Sequence, residues 1–351
     1  MENMELSMVS SIKNELKKFW ALAKKENILE QLQSDLENSP GSGFICYFAA
    51  EHGFFEILKW AINENGCHLA RQSCNAAAKG GHLEVLKWLH KKGCLIDNDT
   101  CRVAAENGHL DILKWLRKKG CFWKTDTCSG AARYGHLDVL VWARDNGCEW
   151  DETTCSNAVI GGHFDILEYA HNNSCDWGVA TCSNAALCGQ FEILKWLREK
   201  GCEWDATTCT SAAKNDDLEI LKWARTPCVQ SSVPLELARE NGCPWDEDTC
   251  CFAAFHGFLD TLKWAKENGC PCGPNTSAFV ALGGCLKTLE WLHKNGCEWD
   301  CFTCSNAAMY GNLEVLKYAH ENGCPMNKEE CLSLARSGNR IETIAWLNNI
   351  F

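Results

Sequence analysis

The stretch TCSNAVIGGHFDILEYAHNNSCDWGVA at 154–180 and its successor TCSNAALCGQFEILKWLREKGCEWD at 181–205 place Cys155 and Cys182, Gly162 and Gly189, and Cys175 and Cys202 each 27 residues apart. Outward from this stretch the first cysteine recurs at 46, 74, 101, 128, 155, 182, 209, 250, 304 and 331, and Ser277 stands where one further member is due. A Gly-Cys pair recurs in step with it, from Gly93-Cys94 to Gly323-Cys324, with Gly66-Cys67 and Ser174-Cys175 as variants. A fixed period of this size marks a solenoid, whose units bury their apolar faces only against their neighbours. Most of the chain therefore reads as one array, with residues 1–43 ahead of it and repeats over 44–351.

Each unit reads as two helices. Thr154, Thr181, Thr208, Thr249 and Thr303 precede the first apolar position, where a hydroxyl can cap free backbone N–H groups. Cys155, Ala158 and Val159, like Cys182, Ala185 and Ala186, follow an i, i+3, i+4 pattern and line one face of a short helix with small side chains. Seven residues after the cysteine a glycine, as at Gly81, Gly108, Gly162 and Gly338, suits the left-handed backbone that ends a helix. HLEVLKWL at 82–89 and HLDILKWL at 109–116 then give a second helix with a broad apolar face. On its outer ridge Glu84/Lys87 and Glu192/Lys195 place opposite charges three apart. Lys91, Lys92, Lys118, Lys119, Arg198 and Lys200 fall in the last turn, where cations suit the helix dipole. The connection C-x-W-D-x-x-T is too short to hold a full β-hairpin.

The pattern TCSNAAxxGxLEVLKWLxxxGC resembles the ankyrin repeat: its first helix matches the family's T-P-L-H-x-A-A segment, and GHLEVLKWLHKKG at 81–93 matches the second. The family's unit is longer and carries a hairpin finger, about six residues of which are absent here; cysteine and small polar residues replace the Pro-Leu-His. The resemblance spans 44–351 and implies an all-α solenoid of helix-turn-helix units lacking full fingers, acting as a protein-binding scaffold without chemistry of its own. Similar short, cysteine-marked arrays are expanded in large DNA viruses and protists, which would make the setting a host–virus interaction.

Composition narrows the function classes. A formal net charge of −12 runs against nucleic acid as the main partner, because phosphate binding needs a clustered basic face. No apolar run approaches the roughly 20 residues that cross a bilayer, and no secretory signal opens the chain. The expectation is an intracellular monomer, cytoplasmic by default, with its 26 cysteines reduced. Those cysteines read as small buried apolar residues: zinc sites need convergent ligands with C-x₂-C pairs, and only Cys301 and Cys304, with Cys270 and Cys272 as a looser neighbour, come near that spacing. His82, His109, His136 and His163, just after the glycine, read as groups satisfying a helix start. No nucleotide loop, H-E-x-x-H or serine elbow is present, so neither enzyme nor cofactor is expected.

Two irregularities stand out. The spacing from Cys209 to Cys250 is 41, with TPCVQSSVPLELAR inserted at 226–239 and Asp216 in place of glycine, which reads as a step in the stack. In residues 1–43, Leu16, Phe19, Trp20, Ala23, Ile28, Leu29, Leu32 and Leu36 have helical spacing before SPGSG at 39–43, which reads as a cap on the first unit. The alternative is a docking segment of a ubiquitin-ligase-type adaptor, although the Leu-Pro opening of an F-box is missing.

Candidate binding residues fall in two sets. Trp123, Trp150, Trp177, Trp204, Trp245 and Trp299 recur in the connections, flanked by acids in Glu149-Trp150-Asp151, Glu203-Trp204-Asp205 and Glu298-Trp299-Asp300; they either plug gaps between units or form an acidic aromatic edge for a basic partner. Positions on the first helix that neither packing nor capping dictates change along the array, from Ser129, Ser156 and Asn157 to Phe252, Phe255, His256, Phe279, Met309 and Tyr310. The later set reads as an apolar patch for a partner. A cysteine-based redox or metal sensor is the remaining alternative.

Overall fold

A computed structural model describes residues 43–63, 69–226 and 242–350, with 15, 17–19, 21, 22 and 24 ahead of them. The chain divides into two compact segments, Met1–Asp176 and Trp177–Phe351. In the first, five helix pairs follow one another: α1 (Gly43–Glu51) with α2 (Phe55–Asn63), α3 (Arg71–Lys79) with α4 (Leu83–Lys91), α5 (Asn98–Glu106) with α6 (Leu110–Lys118), α7 (Thr125–Tyr134) with α8 (Leu137–Asp145), and α9 (Glu152–Gly161) with α10 (Phe164–Asn172). The second segment holds α11 (Val179–Leu187) with α12 (Phe191–Glu199), α13 (Ala206–Lys214) with α14 (Leu218–Arg225), and α15 (Glu247–Phe255) with α16 (Leu259–Glu267). It continues with α17 (Pro274–Gly283) and α18 (Leu286–Lys294), α19 (Cys301–Tyr310) and α20 (Leu313–Glu321), and α21 (Lys328–Ser337) and α22 (Ile341–Asn349). Among the described residues no strand occurs, so each segment is an all-α helical-repeat solenoid without hairpin fingers.

The first, odd-numbered helices of each segment stack directly on one another. Small side chains permit this: Cys101, Ala104 and Ala105 on α5, Cys128, Ala131 and Ala132 on α7, and Cys155, Ala158 and Val159 on α9 are fully buried. The second helices supply the bulk of the core, with Leu86, Leu89, Ile112, Leu113, Leu116 and Leu140 in the first segment and Leu194, Leu197, Leu289 and Leu292 in the second. Their outer ridges carry the expected ion pairs, Lys87 to Glu84 at 2.6 Å and Lys195 to Glu192 at 2.8 Å.

The helix starts correct one expectation. The threonines do not cap; they sit at the third position of the helix, where Thr154, Thr208 and Thr303 are fully buried. The cap is the aspartate three residues earlier: Asp151, Asp205 and Asp300 accept from the backbone N–H of Thr153, Thr207 and Phe302 at 2.9–3.0 Å. A carboxylate at the positive end of a helix serves better than a hydroxyl, and the short connection delivers one there. At α5 the two cooperate: Asp97 accepts from Asp99 and Thr100 backbone N–H groups, and the Thr100 hydroxyl accepts from Asp97 N–H, closing a capping box.

The histidines also work differently from expectation. The imidazole N–H of His109 donates to the Lys79 carbonyl at 2.9 Å, and that of His136 to the Glu106 carbonyl at 3.0 Å. Each ring thus satisfies the end of the preceding pair's first helix, 30 residues back, instead of the start of its own. The ring lies on the glycine of that preceding pair: a Cβ on Gly108, at φ +74°, would fall 2.6 Å from the His136 ring. Gly108 is therefore required both by its left-handed backbone and by the seat it leaves. At the last pair the left-handed residue is Asn339 and not Gly338, because α21 runs one turn position further and asparagine tolerates that conformation.

Of the N-terminal stretch, Phe19 is buried against Phe48 and Phe54, with ring centroids 5.2 and 5.5 Å apart. The Glu15 carboxylate accepts from the backbone N–H groups of Glu56 and Ile57 at the start of α2. The other residues named there, Leu16, Trp20, Ala23, Ile28, Leu29, Leu32 and Leu36, lie outside the described residues, as does the stretch 226–239 beyond Thr226.

Two outcomes follow from the turn chemistry. Gly120, at φ +76°, has no atom within 4 Å of a Cβ, so Gly120→Ala should cost only about 1–2 kcal/mol from the backbone. Gly108→Ala should cost a further ~1–3 kcal/mol, since the His136 ring must leave its seat; equal losses in urea denaturation would contradict the seat. Burial, outweighing the Glu51 backbone bond, holds the His82 imidazole below its usual 6.5. The unfolded chain therefore takes up that proton first, and the stability from neutral His82 is present above pH 6.5 and lost as pH falls through the lower folded value. The drop in unfolding midpoint from pH 7 to pH 5 should be smaller in His82→Gln; an identical drop would refute the assignment.

Candidate functional site

The connection tryptophans are held by the scaffold on two sides. On one, an arginine from the last turn of the preceding second helix lies over the ring: Arg117 over Trp123, Arg144 over Trp150, Arg198 over Trp204 and Arg225 over Trp245, at 4.0–4.1 Å from the centroid. The same guanidinium donates to the carbonyl of the Gly-Cys cysteine, as Arg117 does to Cys121 at 3.0 Å and Arg144 to Cys148 at 2.7 Å. On the other side the indole meets the aromatic residue of the next second helix edge-to-face, Trp150 with Tyr169, Trp204 with Trp223 and Trp245 with Trp264. Trp299 keeps the arrangement with His293 stacked at 4.1 Å in place of an arginine. One cation-accepting face of Trp150, Trp204 and Trp245 is thus already taken by the protein's own arginine. For Trp123, Trp150 and Trp204 the signal is present in the sequence as an arginine six positions earlier, of which only Arg198 reads as a helix-dipole partner, whereas Arg225 lies 20 residues before Trp245.

The variable positions of the first helices give a different picture. In the second segment Phe252 on α15 meets Phe279 on α17 edge-to-face at 5.7 Å, and Phe255 lies 6.5 Å from Phe279 and 4.8 Å from His256. All three phenylalanines are only half-buried, and His256 is exposed. Lys214, at the end of α13, sets its ammonium 3.7 Å from the Phe252 centroid. Met309 and Tyr310 stand at the end of α19, packed next to α17, with 38% and 46% of their surface exposed. Neighbouring first helices thus present aromatic and thioether surface, joined by Lys214, which the sequence reading did not include.

Burial of the periodic cysteines matches expectation, but their pairing was missed. The first cysteine of a pair and the Gly-Cys cysteine twenty residues on meet in the core: Cys101 and Cys121 sulfurs are 3.3 Å apart. Cys128 with Cys148, Cys182 with Cys202 and Cys304 with Cys324 are in the same contact. The Cys74 and Cys94 sulfurs meet in the same way, their Cα atoms 6.6 Å apart. At Cys101, Cys128, Cys182 and Cys304 the first thiol of the contact is pushed up, by donating to its partner sulfur and then by burial. The spacing of twenty carries this signal, and it lies outside the C-x₂-C pattern by which cysteine sites are usually recognised. Among the described residues no group of three His, Cys, Asp or Glu is placed to hold a metal ion, and no helix is long and apolar enough to cross a membrane.

A family model for ankyrin repeats, in three copies, matches residues 21–126. No curated protein matches the chain. The matched stretch contains α1 to α6, and the downstream pairs repeat helices of 8–10 residues, most of them joined by left-handed glycine turns. Residues 21–126 are thus a run of ankyrin repeats.

Proposed function

We propose that this chain is a non-catalytic protein-binding scaffold that engages its partner on the aromatic face of α13, α15, α17 and α19. Ankyrin repeats are generally protein–protein interaction modules, and the match to that family supports the scaffold reading. The observation that carries the location is the half-exposed Phe252, Phe255 and Phe279 cluster with exposed His256, Met309 and Tyr310 on successive first helices. Neither the stacking face nor the caps call for large apolar residues there, and clustered aromatic and thioether surface is what interface centres are built from. The connection tryptophans are the weaker candidates, because Trp150, Trp204, Trp245 and Trp299 already pack between an arginine or histidine and the next aromatic ring. In the adaptor reading, residues 1–43 would have to dock through groups other than Glu15 and Phe19, whose side chains turn onto the first pair.

Replacing Phe252 and Phe279 together by Ser should abolish capture of a partner that the intact chain retains, about 2 kcal/mol or more of binding, while circular dichroism shows the helix content unchanged. Retention of that partner by the folded double variant would place binding elsewhere.

A further inference from the structure

The junction between α16 and α17 breaks the pattern at three positions at once. Where Arg117, Arg144, Arg198 and Arg225 cover a tryptophan, α16 ends with Lys266; where that tryptophan belongs, two residues after the Gly-Cys cysteine, stands Cys272; and where the next first cysteine belongs stands Ser277. The consequences are local and concrete. Cys297 has no cysteine twenty residues before it, and the Ser277 hydroxyl donates instead to the Glu298 carbonyl at 2.9 Å.

The Cys297 thiol also departs from its equivalents. Elsewhere the Gly-Cys thiol turns to the carbonyl at the start of its own pair's first helix: Cys121 to Asp97 at 3.0 Å, Cys148 to Lys124 at 3.4 Å and Cys324 to Asp300 at 3.2 Å. Cys297 instead lies 3.0 Å from the Cys272 sulfur, and the Lys266 ammonium donates to Cys297 at 3.0 Å. Cys272 is half-exposed, while the other paired thiols are buried. The pKa of Cys272 is drawn down to about 3, first by the Cys250 thiol and then by Cys297, with Lys266 adding to the effect, whereas the Cys297 thiol is pushed up by Cys272 and burial against the pull of Lys266. A half-exposed thiolate beside a neutral thiol is the arrangement that two-electron oxidation uses.

We propose that Cys272 and Cys297 form a reactive dithiol in an otherwise buried cysteine ladder, which hydrogen peroxide converts to a disulfide tying the connection before α17 to the connection after α18. The Cys272 thiolate attacks one peroxide oxygen; the O–O bond breaks, and hydroxide leaves and takes a proton to become water. The resulting sulfenic sulfur is attacked by Cys297; the S–O bond breaks, the Cys297 proton leaves with the hydroxide as a second water, and the S–S bond forms. Two thiols and one peroxide give one disulfide and two waters. The bond closes a loop around α17 and α18, the helices that follow the Lys266 ammonium. This inference rests on the thiol geometry and stands independently of where a partner binds.

The test uses the full chain. Iodoacetamide at pH 6 should label Cys272 at least tenfold faster than the exposed thiol of Cys188, and one equivalent of hydrogen peroxide followed by N-ethylmaleimide should yield the Cys272–Cys297 peptide as the first new disulfide by mass spectrometry. Ser277→Cys places a cysteine where other pairs carry one and so keeps the fold; by giving Cys297 its missing partner it should lower the yield of the Cys272–Cys297 bond severalfold. Labelling of Cys272 no faster than Cys188, a first disulfide at Cys101–Cys121 or between Cys272 and Cys250, or an unchanged yield in Ser277→Cys would overturn the proposal.

Discussion

Close stacking of the first helices is the constraint on which the rest of each segment depends. A pair of nine-residue helices cannot bury its own apolar face, so it folds only against copies of itself. The approach is set by cysteine and alanine, which leave two helix backbones near enough for their small side chains to interlock; Cys128, Ala131 and Ala132 show no exposed surface between α5 and α9. Leucines of the second helices then seal the outer side. Because contacts run only between neighbours, each pair must also carry its own means of fixing register.

Those means recur at fixed separations. At Asp97, Asp151, Asp205 and Asp300 an aspartate ends the short connection and caps the next first helix. The Gly-Cys thiol reaches back 24 residues to a carbonyl at the start of its own pair. A histidine reaches back 30 residues to the preceding first helix and rests on its glycine. Arginine, tryptophan and the next aromatic ring form a layer across successive pairs. Each contact is modest by itself, but all of them specify the same neighbour geometry, which is the consistency that gives a repeat sequence a single fold. Function is then free to occupy the first-helix positions that none of these contacts uses.

The helix pairs were legible from the sequence because periodicity, glycine turns and small-residue faces are local signals: α9, α10, α11 and α12 fall where TCSNAVIGGHFDILEYA and TCSNAALCGQFEILKWL place them. Roles that depend on where a side chain points in three dimensions were not. Thr154 looked like a cap because it has the right chemistry one residue before Cys155, yet the chain enters the helix earlier and Asp151 takes the role. His136 looked like a local partner, and its ring instead crosses to Glu106. The aromatic cluster of Phe252, Phe255 and Phe279 was visible as a change in composition, but the part of Lys214 in it was not. The cysteine pairs were hidden for the same reason, since twenty residues of separation become contact only after the two helices fold back on each other.

The central claim, that tight stacking of small-residue faces builds the array, is tested most directly at α7, which lies between α5 and α9. Ala131→Leu and Ala132→Leu each place a branched side chain at a fully buried position and should each lower the unfolding free energy by about 1–3 kcal/mol. Arg133→Leu, on the exposed face of the same helix, should change it by about 0.5 kcal/mol or less. Urea unfolding that is unchanged by both alanine replacements would contradict the stacking described here.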